Sequence, residues 1–148
     1  MRTFSRSVSI HAPVETVFAF HAAPGALGML TPAFPPVQIL RRTGGLEPGA
    51  IVELRVAGMR WVARHGTCID NRLFCDEQIE GPFAHWVHRH EFAAEGAGTR
   101  LTDRVEYELP GGPWVNRLFG WAVDLGLGRM FEHRHRVTRR ECERMTRI

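Results

Sequence analysis

Apolar and polar residues alternate through most of the chain and change to helical spacing at two places. From Thr3 to Ile10 the side chains of Phe4, Val8 and Ile10 share one side, the pattern of a half-buried strand. That strand stops at Ala12-Pro13. Pro13 suits a first helical position, and Val14, Val17, Phe18 and His21 form a short apolar stripe up to Pro24. A second short helix is predicted over Gly25 to Leu30, ended by Pro32, Pro35 and Pro36, and then a strand over Val37 to Arg42. Turn signals follow at regular intervals: Gly44-Gly45, Pro48-Gly49, Gly58-Met59, Asn71-Arg72, Gly81-Pro82 and Gly96-Ala97-Gly98. The segments between them, at 50–57, 60–70, 73–80, 85–95 and 98–109, predict an antiparallel meander. Beyond Pro110-Gly111-Gly112-Pro113 the residues Trp114, Val115, Leu118, Phe119, Ala122, Leu125, Met130 and Val137 recur at helical spacing, which predicts one long helix from Trp114 to Arg147. Unbroken, it would be about 50 Å long at roughly 1.5 Å per residue. Gly126 and Gly128 inside it each cost on the order of 1 kcal/mol against alanine. A close approach to the sheet or a bend is expected there, with room for a ligand as the functional version.

The strand pattern carries an anomaly. Side chains alternate faces, so Trp86, His88, His90 and Phe92 share one side while Val87, Arg89 and Glu91 share the other. Trp86 and Phe92 mark the first side as inward. By the same alternation Leu101, Asp103, Val105 and Tyr107 point in, and Arg100, Arg104, Glu106 and Glu108 face water. Two histidines and an aspartate therefore lie among apolar neighbours. Buried polar groups are costly unless hydrogen-bonded, and several on one interior surface point to the lining of a cavity.

Hairpin geometry sets which of these groups meet. A turn centred on Gly96-Ala97 places His90 opposite Asp103, His88 opposite Val105 and Trp86 opposite Tyr107. Opposed Cβ atoms lie about 4.5 to 5.5 Å apart, close enough for an imidazole to hydrogen-bond a carboxylate. A two-residue turn at Asn71-Arg72 places Cys68 opposite Cys75, Ile69 opposite Phe74, Thr67 opposite Asp76 and His65 opposite Gln78. With Phe74 inward, Asp76 and Gln78 join His65, His88, His90 and Asp103 in one polar patch, unless a bulge at Gly81-Pro82 shifts the register.

Length and composition narrow the class. A chain of 148 residues, 44% hydrophobic and 24% charged, suits a single domain over 1–148 with its own core. The longest apolar candidate, PWVNRLFGWAVDLGLGRMF, carries Asn116, Arg117, Asp124 and Arg129, so no stable membrane insertion is expected. The start, MRTFSRSVSIHAP, lacks the apolar core of a secretory signal, and the chain reads as cytoplasmic. All 19 basic residues are arginine, a bias that genome base composition explains, so arginine is discounted as a nucleic-acid signal and no nucleic-acid partner is assigned. Between Trp114 and the end, eight arginines face four acids, Asp124, Glu132, Glu141 and Glu143. This is read as a solvated helix face, with a surface for acidic lipid or another partner as the alternative. Cys68, Cys75 and Cys142 read as reduced thiols. His133 and His135 are placed on the solvated face of the last helix, with one of them or Glu132 reaching a cavity mouth as the functional version.

One strand, two short helices, six further antiparallel strands and a long C-terminal helix is the order of the helix-grip fold, an α+β architecture. The chain resembles the START-like, or SRPBCC, superfamily, which includes polyketide cyclases or dehydrases and lipid-transfer domains. SVSIHAPVETVFAFH, LEPGAIVELRV, FCDEQIEGPFAHWVHRHEF, GTRLTDRVEYELP and MFEHRHR carry the likeness, and the stretch from Gly81-Pro82-Phe83 to Phe92 looks like a bacterial branch. The resemblance implies a seven-stranded curved sheet wrapped around the last helix. It also implies a hydrophobic cavity between them that commonly holds lipids, sterols, polyketides or other aromatic molecules. It supplies no reaction, because the fold hosts carriers, sensors, cyclases and hydrolases.

Three readings of the inner wall follow. In the first, Asp103 orients and charges His90, which binds the polar head of a small hydrophobic ligand. Trp61, Trp86, Phe92 and the final helix with Met130 cover its apolar body, and His65, Asp76, Gln78, His88 and Tyr107 complete the lining. In the second, His90 and Asp103 are a general base and its orienting carboxylate in a cyclase or dehydratase. In the third, the patch is a satisfied network that pins strand register. His88 and His90 can converge on a metal with Asp103, but their spacing matches no strong motif, and GxSxG, GxGxxG, a Walker loop and CxxC are lacking, so neither a metal nor another cofactor is assigned. The expected state is a monomer or weak homodimer.

Overall fold

The alternating stretches assemble into one sheet with the helically spaced ones packed across it, in a computed structural model that describes residues 1–147. β1 (Arg2–Ile10) leads to α1 (Val14–Ala22) and α2 (Ala26–Leu30). Then come β2 (Val37–Thr43), β3 (Ile51–Val56), β4 (Met59–Ile69), β5 (Leu73–Glu80), β6 (His85–Glu95), β7 (Gly98–Glu108) and α3 (Pro113–Thr146). The strands lie in the order β1-β7-β6-β5-β4-β3-β2, every neighbouring pair antiparallel. A curved seven-stranded sheet, two short helices after β1 and a long C-terminal helix make this the helix-grip fold. Among the described residues no helix is long and apolar enough to cross a membrane.

Two apolar clusters hold α3 to the sheet. One gathers Ile10, Val17, Phe20, Leu30, Phe74, Phe92, Leu101, Val137 and Cys142 under α1 and α2. The other gathers Trp86, Val105, Tyr107, Leu127 and Phe131, with Phe4, Trp61, Phe83 and Met130 packed against it. Fully burying a side chain such as Phe131 contributes about 2 to 3 kcal/mol. The inward residues of β6 pass from Trp86 in one cluster, through His88 and His90, to Phe92 in the other. Those of β7 pass from Tyr107 and Val105 through Asp103 to Leu101, and those of α3 from Leu127 and Phe131 through His135 to Cys142. A polar layer thus separates two greasy ones.

The β6–β7 hairpin pairs His90 with Asp103, His88 with Val105 and Trp86 with Tyr107, the register its turn position implies. The β4–β5 hairpin departs from expectation. Asn71 takes a left-handed conformation with φ of 62°. The connection uses three residues rather than two, a form in which a turn is followed by one left-handed residue. Cys68 consequently faces Phe74, not Cys75. A bulge between His65 and Cys68 then moves the ladder again, so that His65 faces Asp76 and Ala63 faces Gln78.

The long helix also corrects its sequence pattern. Its buried residues are Asn116, Gly120, Leu127, Phe131, His135, Val137, Thr138 and Cys142. Trp114, Leu118, Phe119, Trp121 and Leu125 are each more than half exposed. Gly126 and Gly128 have open space where a Cβ would stand, so they mark no close approach to the sheet. The close approach is at Gly120, where a Cβ would run into the Arg2 side chain. Arg2 pairs there with Asp124, and the Tyr107 hydroxyl donates to Asp124 and to the Gly120 carbonyl, fastening the first turns of α3 to β1 and β7. Four of the C-terminal arginines lie in local pairs: Arg136 with Glu132, Arg139 with Glu143, and Arg140 and Arg144 with Glu141.

Candidate functional site

Asp103 is the hub of the polar layer. One carboxylate oxygen accepts from His88 Nε2 at 2.7 Å and the other from His135 Nε2 at 2.6 Å. His90 Nδ1 lies 2.9 Å from the first oxygen, off the line of a good hydrogen bond. The side chains of His88, His90, Asp103 and His135 are each less than a tenth exposed. His90 stacks on Phe74 with ring centres 3.9 Å apart and lies 3.8 Å from the His88 ring. His21 of α1 closes the far side, 6.0 Å from His90 between ring centres, with Nδ1 donating to the Val17 carbonyl at 2.8 Å.

Asp76 of β5 stands at the rim, its side chain 18% exposed. Its Oδ2 is 3.5 Å from His90 Nε2 and 3.8 Å from His88 Nδ1. Each of these imidazoles therefore turns one nitrogen to Asp103 and the other to Asp76. His65, opposite Asp76 in the ladder, is buried with its Nδ1 unpartnered.

The electrostatics follow from this packing. Burial opposes charge on Asp103, but the His90 charge close by and hydrogen bonds from His135 and His88 outweigh it and hold the carboxyl well below its usual range. Burial likewise pulls His90 down, yet the Asp103 charge and its contacts with Asp103 and Asp76 raise it overall. Burial and the adjacent His90 charge lower His88 and push His21 down to about 4. His65 is lowered chiefly by burial. Charge is thus favoured at His90, between two carboxylates, and disfavoured by burial at His88, His65 and His21.

Other residues named from sequence divide into three groups. Trp61 packs edge-on against Trp86 and Phe83, with ring centres 5.0 and 5.6 Å away, and Met130 joins this apolar group beside the polar layer. Phe92 packs with Phe74 and Phe18 in the opposite cluster. Tyr107 and Gln78 do not present free polar groups. The Tyr107 phenol is engaged by α3, and the Gln78 amide donates to the Phe83 carbonyl at 2.8 Å and accepts from the Phe83 N–H, bracing the Gly81-Pro82 turn. The imidazoles meet Asp103 and one another, and two cavities lie elsewhere. One of about 380 Å³ is lined by Gly28, Thr31, Pro36 and Ile39, and one of about 580 Å³ by Val14, Asn71, Arg72 and Phe92.

His135, for which the solvated face is the primary sequence reading and the cavity mouth the alternative, and His21, read only as part of the α1 apolar stripe, both join the site. The signal for His135 was the run Leu127, Phe131, His135, Thr138 and Cys142, spaced three or four apart on one helical face.

A family model described as polyketide cyclase / dehydrase and lipid transport matches residues 10–133. No curated protein matches the sequence. The solved Zhui aromatase/cyclase from Streptomyces sp. R1128 superposes with a TM-score of 0.75 at 19% identity, over 98% of this chain and 95% of that one. A START superfamily protein from Mycobacterium smegmatis superposes with a TM-score of 0.68 at 18% identity, over 97% and 98% of the two chains. A nucleoside-diphosphate sugar epimerase from Corynebacterium glutamicum reaches 0.76 at 27% identity, and there the chain covers 97% of its own length but spans only 30% of the epimerase.

Proposed function

The chain belongs to the polyketide cyclase / dehydrase and lipid transport family, and on that premise we propose that it binds a small, mainly apolar molecule between the sheet and α3. The polar layer set between two apolar clusters carries this reading. It offers one anchoring point for a polar end, at the rim formed by Asp76, His65 and His90, beside an aromatic wall of Trp61, Phe83 and Trp86. The apolar body of the ligand packs against those aromatics, and a neutral hydroxyl or carbonyl end exchanges hydrogen bonds with the rim. Solvent extraction and native mass spectrometry of the purified protein test it. An apolar compound is expected to copurify, and Trp61→Ala should reduce its occupancy several-fold. A protein that stays free of any such compound and gives no saturable response to apolar probes argues against the reading.

A second reading is supported by His90, a buried imidazole of raised basicity between two carboxylates. That arrangement suits a general base removing a proton from an activated carbon, with Asp103 orienting the ring. Under this reading Asp103→Asn abolishes turnover of a polyketide-like substrate while binding survives. Equal loss of both would mark Asp103 as structural.

A further inference from the structure

We propose that Asp76, His88 and His90 bind a divalent transition-metal ion of the zinc class. One donor atom from each lies within 4.8 Å of the others. The Asp76 Oδ2 separations of 3.5 Å to His90 Nε2 and 3.8 Å to His88 Nδ1 are close to what a shared ion needs, since ligands about 2.0 to 2.1 Å from a tetrahedral centre stand roughly 3.3 Å apart. The spacing of the two histidines alone matches no metal motif. The sheet adds the carboxylate from the neighbouring strand.

The surroundings argue for an ion more strongly than the donor set does. His88 donates Nε2–H to Asp103, so in the neutral ring the lone pair is on Nδ1, directed at the Asp76 carboxylate. Two electron-rich atoms thus face each other across a gap that a cation fills. Asp103 touches both rings on the side away from Asp76, which is the carboxylate–histidine–metal arrangement that fixes ring orientation and raises ligand basicity. His65, less than a tenth exposed and opposite Asp76, keeps an unpartnered Nδ1 beside the cluster. Asp76 is the most exposed of the three ligands and gives the ion its way in. Imidazole and carboxylate together suit zinc and its neighbours rather than calcium or magnesium. The inference goes beyond the apolar-ligand reading and needs none of it, because every donor belongs to the chain.

Titration of the full chain, stripped with chelator, against Co²⁺ followed by visible absorption and against Zn²⁺ followed by equilibrium dialysis decides the matter. The expected result is one ion per chain, with Co²⁺ d–d bands displaced by Zn²⁺ and no near-ultraviolet thiolate band. Asp76→Asn, which keeps the side-chain shape, should weaken Zn²⁺ binding on the order of 100-fold. Asp103→Asn should weaken it roughly 10-fold or more. His11→Ala, at an exposed histidine, should leave it unchanged. Failure of the folded wild-type chain to bind either ion stoichiometrically overturns the proposal. So does binding that survives Asp76→Asn in a folded variant, falls with His11→Ala, or shows a thiolate band.

Discussion

Asp103 is the residue on which the interior depends. It is 3% exposed and carries contacts from three imidazoles on two elements. Removing one partner of a buried charged network leaves the others uncompensated, so Asp103→Ala is expected to lower unfolding free energy by about 3 to 5 kcal/mol in a denaturant titration. Tyr107 offers a test against pH. Burial, with the hydrogen bond to Asp124, pushes its phenol from 10.0 up to about 12. The folded protein therefore keeps a proton that the unfolded chain releases. The stabilisation is complete below about pH 10 and declines as pH rises toward 12, by on the order of 3 kcal/mol. Tyr107→Phe should cost about 1 to 3 kcal/mol at neutral pH and flatten that alkaline decline in stability curves. At this scale the facing of His90 and Asp103 was legible, because alternation and one turn position determine it. Asp76 facing His65 was not, because it depends on a single left-handed residue at Asn71 and a bulge beyond it.

Among the elements, α3 separates what periodicity can and cannot say. Its length and start follow from the glycine-proline punctuation and helical spacing, but apolar content misidentifies the buried face. Trp114, Leu118, Trp121 and Leu125 make a continuous stripe that faces solvent, while Gly120 and Asn116 face inward. Gly120 is inside because the Arg2 side chain occupies the space a larger side chain would need, while its carbonyl accepts from the Tyr107 hydroxyl. Asn116 is inside because its Oδ1 accepts from the Leu109 N–H where the chain leaves β7. Gly126 and Gly128 serve no such contact. Gly126→Ala and Gly128→Ala are each expected to stabilise the protein by about 1 kcal/mol through helix propensity, read as a higher Tm. Gly120→Ala should show no such gain, because it displaces Arg2 from Asp124.

For the molecule as a whole, the two apolar clusters and the layer between them tie function to stability. A ligand held between sheet and α3 binds only the folded state, so at a hundredfold excess over Kd it should add about 2.7 kcal/mol to the unfolding free energy. In a chain of this size that is roughly 5 to 10 °C in Tm, readable by thermal scanning of the proposed ligand's candidates. Trp61→Ala should remove most of the shift.

Strand alternation, turn residues and the change to helical spacing determined the element order, the helix-grip architecture and the inward placing of His88, His90 and Asp103. These are local rules, each needing only a few neighbouring residues to state. The tertiary structure alone decided that His135 comes down from α3 onto Asp103, that Asp76 faces His65 while Gln78 turns to the Phe83 backbone, and that the tryptophans of α3 look outward. The reason is physical: a helix chooses its buried face by what the sheet beneath can accommodate, and a buried carboxylate gathers every imidazole within reach, whichever element supplies it.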